Sequence, residues 1–258
     1  MTKLLKSDLY RLTNSKMLYG LGSLVAGVAV LLVVMIRHGV SLGIYALGNM
    51  VNIGELEDVI RLGIQYHNGL LGVVVVIILS VWIGQEYQWN TWQYKWVTSK
   101  SRCHMYLAKA IISALVSVAI YLLYQLVTLF SSGQVGTILS WNYLSLIIGG
   151  IFVYGALGTV ICLITMSIKN NVFGVVVCLC YVLFIESLLF AVSIGANHFA
   201  IVGRIVDWGI RHSIYGMASV VARMDLTPGK ILGIGFNGII IMILATILGM
   251  FVFEKCEL

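Results

Sequence analysis

Residues 18–36 read LYGLGSLVAGVAVLLVVMI, and Arg37 and His38 follow them directly. A helix needs about 20 predominantly apolar residues to cross the hydrocarbon core of a bilayer. The stretch is also longer than the apolar core of a secretory signal peptide, which has about 7–15 residues. It therefore predicts a transmembrane helix rather than a cleaved leader.

Five further stretches have the same character. The second is the shortest, because its strictly apolar part, Leu70 to Ile83, would rise only about 21 Å as a helix. We therefore expect this span to begin near Leu62 and to carry Gln65, His67 and Asn68 at its outer end. The predicted spans cover approximately residues 18–36, 62–84, 110–130, 143–168, 172–194 and 231–253. The sequence thus predicts an all-α polytopic membrane protein with six transmembrane helices in a single domain, residues 1–258.

The composition agrees with this fold class. Hydrophobic residues make up 60% of the chain and charged residues 10%, and there is one proline. Soluble domains average about 45–50% apolar and about 25% charged residues. A soluble globular domain and a disordered chain are therefore excluded, and so is a nucleic-acid-binding domain despite the net charge of +6. A single proline favours long, uninterrupted helices.

The distribution of Lys and Arg predicts the orientation. Six spans place both termini on one side, and that side would carry ten of the 16 Lys and Arg residues. Because Lys and Arg are enriched in short cytoplasmic segments, we expect both termini in the cytoplasm. Four of the six opposing Lys and Arg residues lie in the long segment 195–230.

The first 16 residues form an amphipathic pattern. Met1, Leu5, Leu9 and Leu12 recur at helical spacing, with lysines on the other side. This pattern predicts an interfacial helix that lies along the inner leaflet, where its lysines favour anionic lipid headgroups. A basic tail that only sets the topology is the alternative.

The segment after the second span is rich in aromatic residues: residues 84–97 read GQEYQWNTWQYKWV. Trp89, Trp92 and Trp96 have the spacing i, i+3, i+7, so they share one face if the segment is helical. Two interpretations compete. The tryptophans form an aromatic belt at the membrane surface, or they form a contact surface for a soluble partner.

Polar residues inside the spans suggest either a transport path or ties between helices. Glu186 lies in the fifth span, where a charge is costly and should face the bundle or a wet cavity. It could attract a cationic group of a cargo, or it could be a neutral hydrogen-bonding side chain with Tyr121, Tyr124 or Gln125 as partner. Those three residues share one face of the third span with Thr128. Their face either lines a groove between two protomers or makes hydrogen bonds between helices.

The segment 195–230 is unusually apolar for a connection between spans. Loops of that length without secondary structure are uncommon. We therefore expect short helices there that lie at the outer interface or dip into it.

The sequence contains none of the motifs of the common catalytic or nucleotide sites. There is no Gly-x4-Gly-Lys-Ser/Thr loop, no His-Glu-x-x-His and no Gly-x-Ser-x-Gly. No two histidines have the spacing i, i+4, and Cys178 and Cys180 are too close in an apolar run for a zinc site. We therefore expect no catalytic residue, no metal site and no enzymatic activity. An intramembrane enzyme is the alternative class of function.

Two regions resemble a known family. The N-terminal residues 4–12, LLKSDLYRL, are followed by a polar turn that contains Lys16. The second region contains Gly84-x-Glu86-Tyr87, then Thr91, Ser99-x-Ser101-Arg102, Tyr106-Leu107 and Lys109. Together with the length and six spans, these residues resemble permease subunits of type-2 ABC exporters, in particular those of lantibiotic immunity and bacitracin export. One residue departs from the pattern, because Asn90 stands where the family has glycine before the threonine.

The resemblance implies a function. Residues from about Glu86 to Val97 would form a cytoplasmic coupling helix that docks into an ATPase subunit. The coupling residues would be Glu86, Tyr87, Trp89, Thr91, Trp92, Trp96 and Arg102. The translocation path would include Glu186, Tyr121, Tyr124 and Gln125. A re-entrant element before the last span would gate the exit.

The resemblance also implies the partners and the cargo. The chain would lie in a bacterial cell membrane with two copies of a cytoplasmic ABC ATPase, which bind ATP and Mg²⁺, so that this chain needs no cofactor of its own. A second permease protomer, identical or a sister chain, would complete the complex, and membrane lipid would surround it. The cargo would be an amphipathic antimicrobial peptide. Export of small drugs or lipids, and a sensor or scaffold role without transport, are the alternatives.

Overall fold

The computed structural model describes residues 2–40, 42–46, 49–89, 102–133, 140–196, 198 and 200–255. These residues form ten helices and one antiparallel hairpin of two strands. The elements are α1 (Thr2–Thr13), α2 (Lys16–Arg37), β1 (Leu42–Ala46), β2 (Asn49–Ile53), α3 (Leu56–Ile64), α4 (Leu70–Gln88), α5 (Arg102–Ser132), α6 (Trp141–Ile168), α7 (Asn171–Ala196), α8 (Ala200–His212), α9 (Ile214–Val221) and α10 (Pro228–Lys255). In the hairpin, Leu42 is opposite Ile53.

Six of the helices are long and apolar enough to cross a membrane, namely α2, α4, α5, α6, α7 and α10. The shortest of them, α4, has 19 residues. A helix of that length rises about 29 Å, close to the thickness of a bilayer core. The prediction of an all-α polytopic membrane protein with six spans is confirmed, and the short hairpin is an addition to it.

The second span does not begin where the sequence pattern predicts. Residues near Leu62 belong to the separate helix α3, and the chain turns through residues 65–69 before α4 begins. The helix α4 nevertheless reaches a spanning length, because it continues at its other end to Gln88. The turn folds back so tightly that a Cβ at Gly72 would overlap the carbonyl oxygen of Tyr66, and only glycine permits that approach. Gln65, His67 and Asn68 therefore lie in a turn and not on the spanning helix.

The helix α6 lies at the centre of the bundle and packs against α4, α5, α7, α9 and α10. Glycines allow its close contact with α5. A Cβ at Gly158 would overlap Ser117, and one at Gly150 would overlap the ring of Tyr121. Small residues at helix contacts are typical of membrane proteins, where packing rather than water exclusion drives helix association. Large apolar side chains on α2, α7 and α10 point outward, as expected of lipid-facing helices.

The bundle has two ends that can be told apart by their contacts. At one, here called the terminal end, α1 packs on α5, and the ring of Tyr106 lies 6.3 Å from that of Phe253 in the last helix. At the other, the distal end, the Arg37 guanidinium donates a hydrogen bond to the Ser132 carbonyl. Both termini therefore lie at one end.

Exposed aromatic residues mark both ends. Tyr19 and Trp89 lie at the terminal end, and Trp141 and Trp208 belong to helices of the distal end. Tyrosine and tryptophan are enriched at both membrane surfaces. Their positions agree with a bilayer that surrounds the six long helices between the two ends.

The predicted short helices between the fifth and sixth spans are present as α8 and α9. The helix α9 packs against the central helix α6. The Tyr215 phenol of α9 reaches Glu186, ten residues before the end of α7. Val221 packs on the site of Gly149, eight residues after the start of α6. These offsets correspond to about 12–15 Å along a helix axis. The element therefore dips in from the distal end, which favours the re-entrant alternative.

The helix α1 agrees with the predicted N-terminal helix in extent but not in its buried face. Leu12 and Asp8 are buried against the bundle, whereas Leu9, which the pattern places with Leu5 and Leu12, is exposed. The face that contains Asp8 and Arg11 turns inward because both side chains have ionic partners on other helices. Ion pairing with α4 and α5, rather than the apolar pattern alone, sets the rotation of this helix.

Candidate functional site

Four ionisable side chains meet at the terminal end, and we call Asp8, Arg11, Glu86 and Lys109 the charge cluster. The Lys109 ammonium lies 2.6 Å from Glu86 Oε1 and 3.1 Å from Asp8 Oδ2. The Arg11 guanidinium lies 2.7 Å from the same Glu86 oxygen. Three helices, α1, α4 and α5, are thereby joined through one ionic centre.

Trp82 completes the surroundings of the cluster. Its ring centroid lies 3.7 Å from Lys109 Nζ, so the ammonium sits over the negative face of the indole. Its carbonyl accepts a hydrogen bond of 2.8 Å from Arg11 Nη2. Both cations therefore have an aromatic or carbonyl partner in addition to a carboxylate.

Helical spacing explains how distant residues reach the cluster. Asp8 and Arg11 are three residues apart on α1 and share one face. Glu86 lies in the last turn of α4, and Lys109 lies two turns after the start of α5. Because α4 ends and α5 begins at the terminal end, these two residues lie at the same level and are in contact.

The cluster is balanced in charge, and three of its four side chains are removed from solvent, while Arg11 is half-buried. Glu86 is 0% exposed and Lys109 1%, while Asp8 is 3% exposed. Burial of a charge costs several kcal/mol unless a partner of opposite sign is in place. Two carboxylates and two cations satisfy that condition together, and the loss of any one leaves a buried charge without compensation.

The charge cluster lies close to the end of α4 and the beginning of α5. The helix α4 ends at Gln88, Trp89 follows as its cap, and α5 begins at Arg102. Residues 90–101, which join these helices in sequence, lie outside the described residues. The charge cluster therefore joins the two helices that flank residues 90–101 to each other and to α1.

The predicted coupling residues occupy different environments. Glu86 is buried in the cluster and completes α4, so it does not begin a separate helix as the resemblance implies. Tyr87 is half-buried and donates a hydrogen bond of 3.2 Å to the Met166 carbonyl. Trp89 is 61% exposed. The fourth placed residue, Arg102, begins α5, and Thr91, Trp92 and Trp96 lie outside the described residues.

The polar stripe of the third span ties helices together. The Tyr121 phenol donates to the Leu146 carbonyl of α6 at 3.2 Å. The Tyr124 phenol donates to the Val59 carbonyl at 2.9 Å. Both rings are buried, and Tyr124 also lines a small apolar cavity with residues of α2 such as Val25 and Leu32.

Gln125 has the same kind of contact, because its amide donates to the Ile60 carbonyl of α3 at 3.2 Å. Thr128 donates to a carbonyl of its own helix. The stripe thus joins α5 to α3 and α6, which favours the packing alternative over a lining of the transport path.

Glu186 has partners that the sequence does not indicate. Its Oε1 accepts a hydrogen bond of 3.1 Å from the Tyr215 phenol of α9. Its Oε2 lies 3.7 Å from Nε2 of His67, in the turn before α4. Tyr121, Tyr124 and Gln125, which the sequence suggests as partners, bond elsewhere.

Burial sets the protonation of the groups around Glu186. Burial lowers the pKa of His67 from its usual value of 6.5, and the nearby Glu186 carboxylate offsets part of that effect. Burial also raises the pKa of Tyr215 to about 12, and the same carboxylate adds to the increase. His67 is therefore neutral at physiological pH, and Tyr215 remains a hydrogen-bond donor.

Sequence reasoning assigned no site role to five residues that the structure brings into these contacts, namely Asp8, Arg11, His67, Lys109 and Tyr215. One signal was available, because Asp8 is the only acidic residue before Glu55 and stands in an otherwise basic helix. An isolated carboxylate of this kind suggests a specific cationic partner. No comparable feature of the sequence indicates that Glu186 contacts Tyr215, because 28 residues separate them.

In the part of the chain that the structure describes, no group of three or more His, Cys, Asp or Glu side chains could hold a metal ion. No protein-family model matches the chain, and a search of curated proteins finds no significant match.

Proposed function

We propose that this chain is the permease subunit of a type-2 ABC exporter, coupled through residues 86–102 to a separate ATPase. The six spans agree with a permease, and the resemblance of residues 4–12 and 84–109 supports the family. The observation that carries the proposal is the charge cluster, which joins α4 and α5 near the ends that flank residues 90–101. A coupling segment needs a rigid attachment to the helices that it moves, and the cluster has that property.

The proposed mechanism passes a movement from one end of the bundle to the other. Closure of two ATPase subunits on ATP displaces segment 90–101. The cluster transmits this displacement to α1, α4 and α5 together, because separating its members would leave buried charges unpaired. Tyr121 and Tyr124 tie α5 to α6 and α3, so the distal end moves with it.

The distal end contains the proposed exit. The element α8–α9 and the turn 65–69 both approach Glu186, where Tyr215 and His67 meet it. Separation of these contacts would open a path beside a carboxylate. A second permease protomer, identical or a sister chain, completes the groove in this proposal, and the ATPase subunits supply ATP and Mg²⁺.

The proposed cargo is an amphipathic antimicrobial peptide of the lantibiotic type, exported for self-protection from a bacterial cell with both permease termini in the cytoplasm. The resemblance supports this cargo, and the partly exposed carboxylate of Glu186 is suited to a cationic peptide. Small drugs and lipids are the alternative cargos.

The first experiment tests the coupling assignment. The coding sequences next to that of the chain are searched for an ATP-binding-cassette subunit, which is then co-expressed with the full chain, and the complex is purified through a tag on the permease. We expect the ATPase to copurify, and we expect the variant with Trp89→Ala and Trp92→Ala to weaken that association about 30-fold, the effect of losing an interface hot spot.

Trp208→Ala is the matched control, because Trp208 is 64% exposed against 61% for Trp89 but lies on a helix of the distal end. It should leave copurification unchanged. If neither variant affects the ATPase, or if no ATPase copurifies with the unaltered chain, the coupling assignment is wrong. ATP-dependent uptake of a lantibiotic into inverted vesicles then separates a permease from a sensor or scaffold, which would bind the ATPase without moving peptide.

A further inference from the structure

The helix α8 presents an apolar face to the outside of the molecule. Ile201, Ile205 and Trp208 are all strongly exposed, and their spacing i, i+4, i+7 places them on one side of the helix. The packed face is opposite, because Gly203 is buried and Val206 and Ile210 are half-buried. The exposed side is therefore not the one that holds α8 on the bundle.

Two cations flank this apolar face. Arg204 and Arg211 are exposed and seven residues apart, so both project from the same side of the helix, next to Ile201 and Trp208. Asp207, the acidic residue of α8, is half-buried and lies on the side of the arginines toward the packed face. The outward surface thus combines apolar, aromatic and positively charged groups.

The surface is continuous with lipid-facing parts of the molecule. The helix α8 packs on α7, whose side chains Phe190 and Ile194 are exposed near the distal end. The ring of Trp208 stacks on that of His212 at 4.5 Å, and His212 Nδ1 donates to the Trp208 carbonyl at 2.8 Å, which holds the indole in place. Exposed Trp141 lies at the start of α6, also at the distal end.

We propose that the outward face of α8, formed by Ile201, Arg204, Ile205, Trp208 and Arg211, lies in the lipid of the leaflet at the distal end and binds anionic phospholipid headgroups. The apolar side chains enter the upper acyl region, and tryptophan favours the interface. The arginine stems extend along the apolar surface and bring the guanidinium groups to the phosphates. This inference goes beyond the proposed function and does not depend on it.

The first test locates Trp208. The full chain is reconstituted in phosphatidylcholine vesicles that contain lipid brominated in the upper acyl chain, and the emission of the wild type is compared with that of Trp208→Phe. We expect the difference spectrum to be blue-shifted, quenched by brominated lipid and insensitive to aqueous iodide. Quenching by iodide, or shielding from both quenchers as in a contact with a second copy or another protein, would overturn the proposal.

The second test measures headgroup preference. Electron spin resonance of spin-labelled phosphatidylglycerol and phosphatidylcholine gives their relative association with the reconstituted protein. The variant with Arg204→Gln and Arg211→Gln should lose about 30-fold in preference for the anionic lipid at low salt, roughly fivefold for each arginine.

Lys230→Gln is the matched control for this measurement. Lys230 is exposed at the start of α10 but lies 3.9 Å from the Asp225 carboxylate, so a local counter-charge already balances it. It should change the preference little. An unaltered preference in the arginine variant, with folding verified by an unchanged melting temperature, would contradict headgroup binding at α8.

Discussion

The Glu86 carboxylate lies 2.6 Å from the Lys109 ammonium, and both side chains are almost completely withdrawn from solvent. Twenty-two residues separate them in the chain, and twelve of these, residues 90–101, lie between α4 and α5. The pair therefore joins α4 to α5 near the helix ends that flank residues 90–101. Asp8 and Arg11 form ion pairs with Lys109 and Glu86, so that the N-terminal helix α1 joins the same contact.

Removal of the Lys109 ammonium should destabilise the protein strongly. Lys109→Met keeps most of the side-chain volume but leaves Asp8 and Glu86 as buried carboxylates with Arg11 as the cation of the cluster that remains. We expect a loss of about 3–5 kcal/mol, the usual cost of breaking a buried ion pair. Thermal unfolding in detergent measures it.

Lys16→Met is the control for Lys109→Met, because Lys16 is exposed at the start of α2. Its effect should stay within about 0.5 kcal/mol, as is usual for surface substitutions. Equal melting temperatures for the two variants would show that the cluster does not hold α1, α4 and α5 together.

A methyl group at Gly150 should disturb the contact between α5 and α6. Its Cβ would overlap the phenol ring of Tyr121, which is itself stacked on Tyr154 at 4.8 Å. We expect Gly150→Ala to cost about 1–3 kcal/mol through overpacking. Gly27→Ala is the control, since nothing lies within 4 Å of a Cβ there. A melting temperature for Gly150→Ala as high as that of the control would contradict the packing described for α6.

Neutralisation of Glu186 should change cargo tolerance while the complex still assembles. Glu186→Gln retains an oxygen that accepts from the Tyr215 phenol but removes the negative charge. If the carboxylate attracts a cationic cargo, protection of cells against a lantibiotic should fall while copurification with the ATPase is unchanged. Tyr215→Phe, which keeps the charge and loses the hydrogen bond, is the control. Unchanged protection with a stable complex would assign Glu186 a structural role.

Acidification should destabilise the protein through His67. Burial lowers the pKa of the folded imidazole, so below about pH 6.5 the unfolded chain binds a proton that the folded protein does not. Stability is therefore complete above that pH and decreases as the pH falls, until the folded imidazole also becomes protonated.

The fall in melting temperature between pH 7.5 and pH 5.5 should be smaller in His67→Gln than in the wild type. His38→Gln, at an exposed position after α2, should retain the wild-type difference. An identical pH response in all three proteins would show that His67 is not the group that titrates.

The sequence alone determined the elements whose cause is local. Hydrocarbon thickness requires long apolar runs, and each of the six runs corresponds to a long helix. The bounds agree closely for runs such as residues 18–36 and 172–194, whereas the second and third spanning helices begin at Leu70 and Arg102 rather than near residues 62 and 110. The short helices before the last span also follow from a local pattern, because an apolar segment of 36 residues cannot remain without secondary structure beside a bilayer.

Tertiary structure decided what depends on partners distant in the chain. The break between α3 and α4 arises because Gly72 admits the Tyr66 carbonyl, and the inward face of α1 arises because Asp8 finds Lys109. The sequence shows that Glu86 and Glu186 are acidic residues that lie at or within spans. It does not show that Glu86 pairs with Lys109 and Arg11, or that Glu186 accepts a hydrogen bond from Tyr215. These contacts depend on which helices pack together, and neither residue type nor helical spacing specifies that.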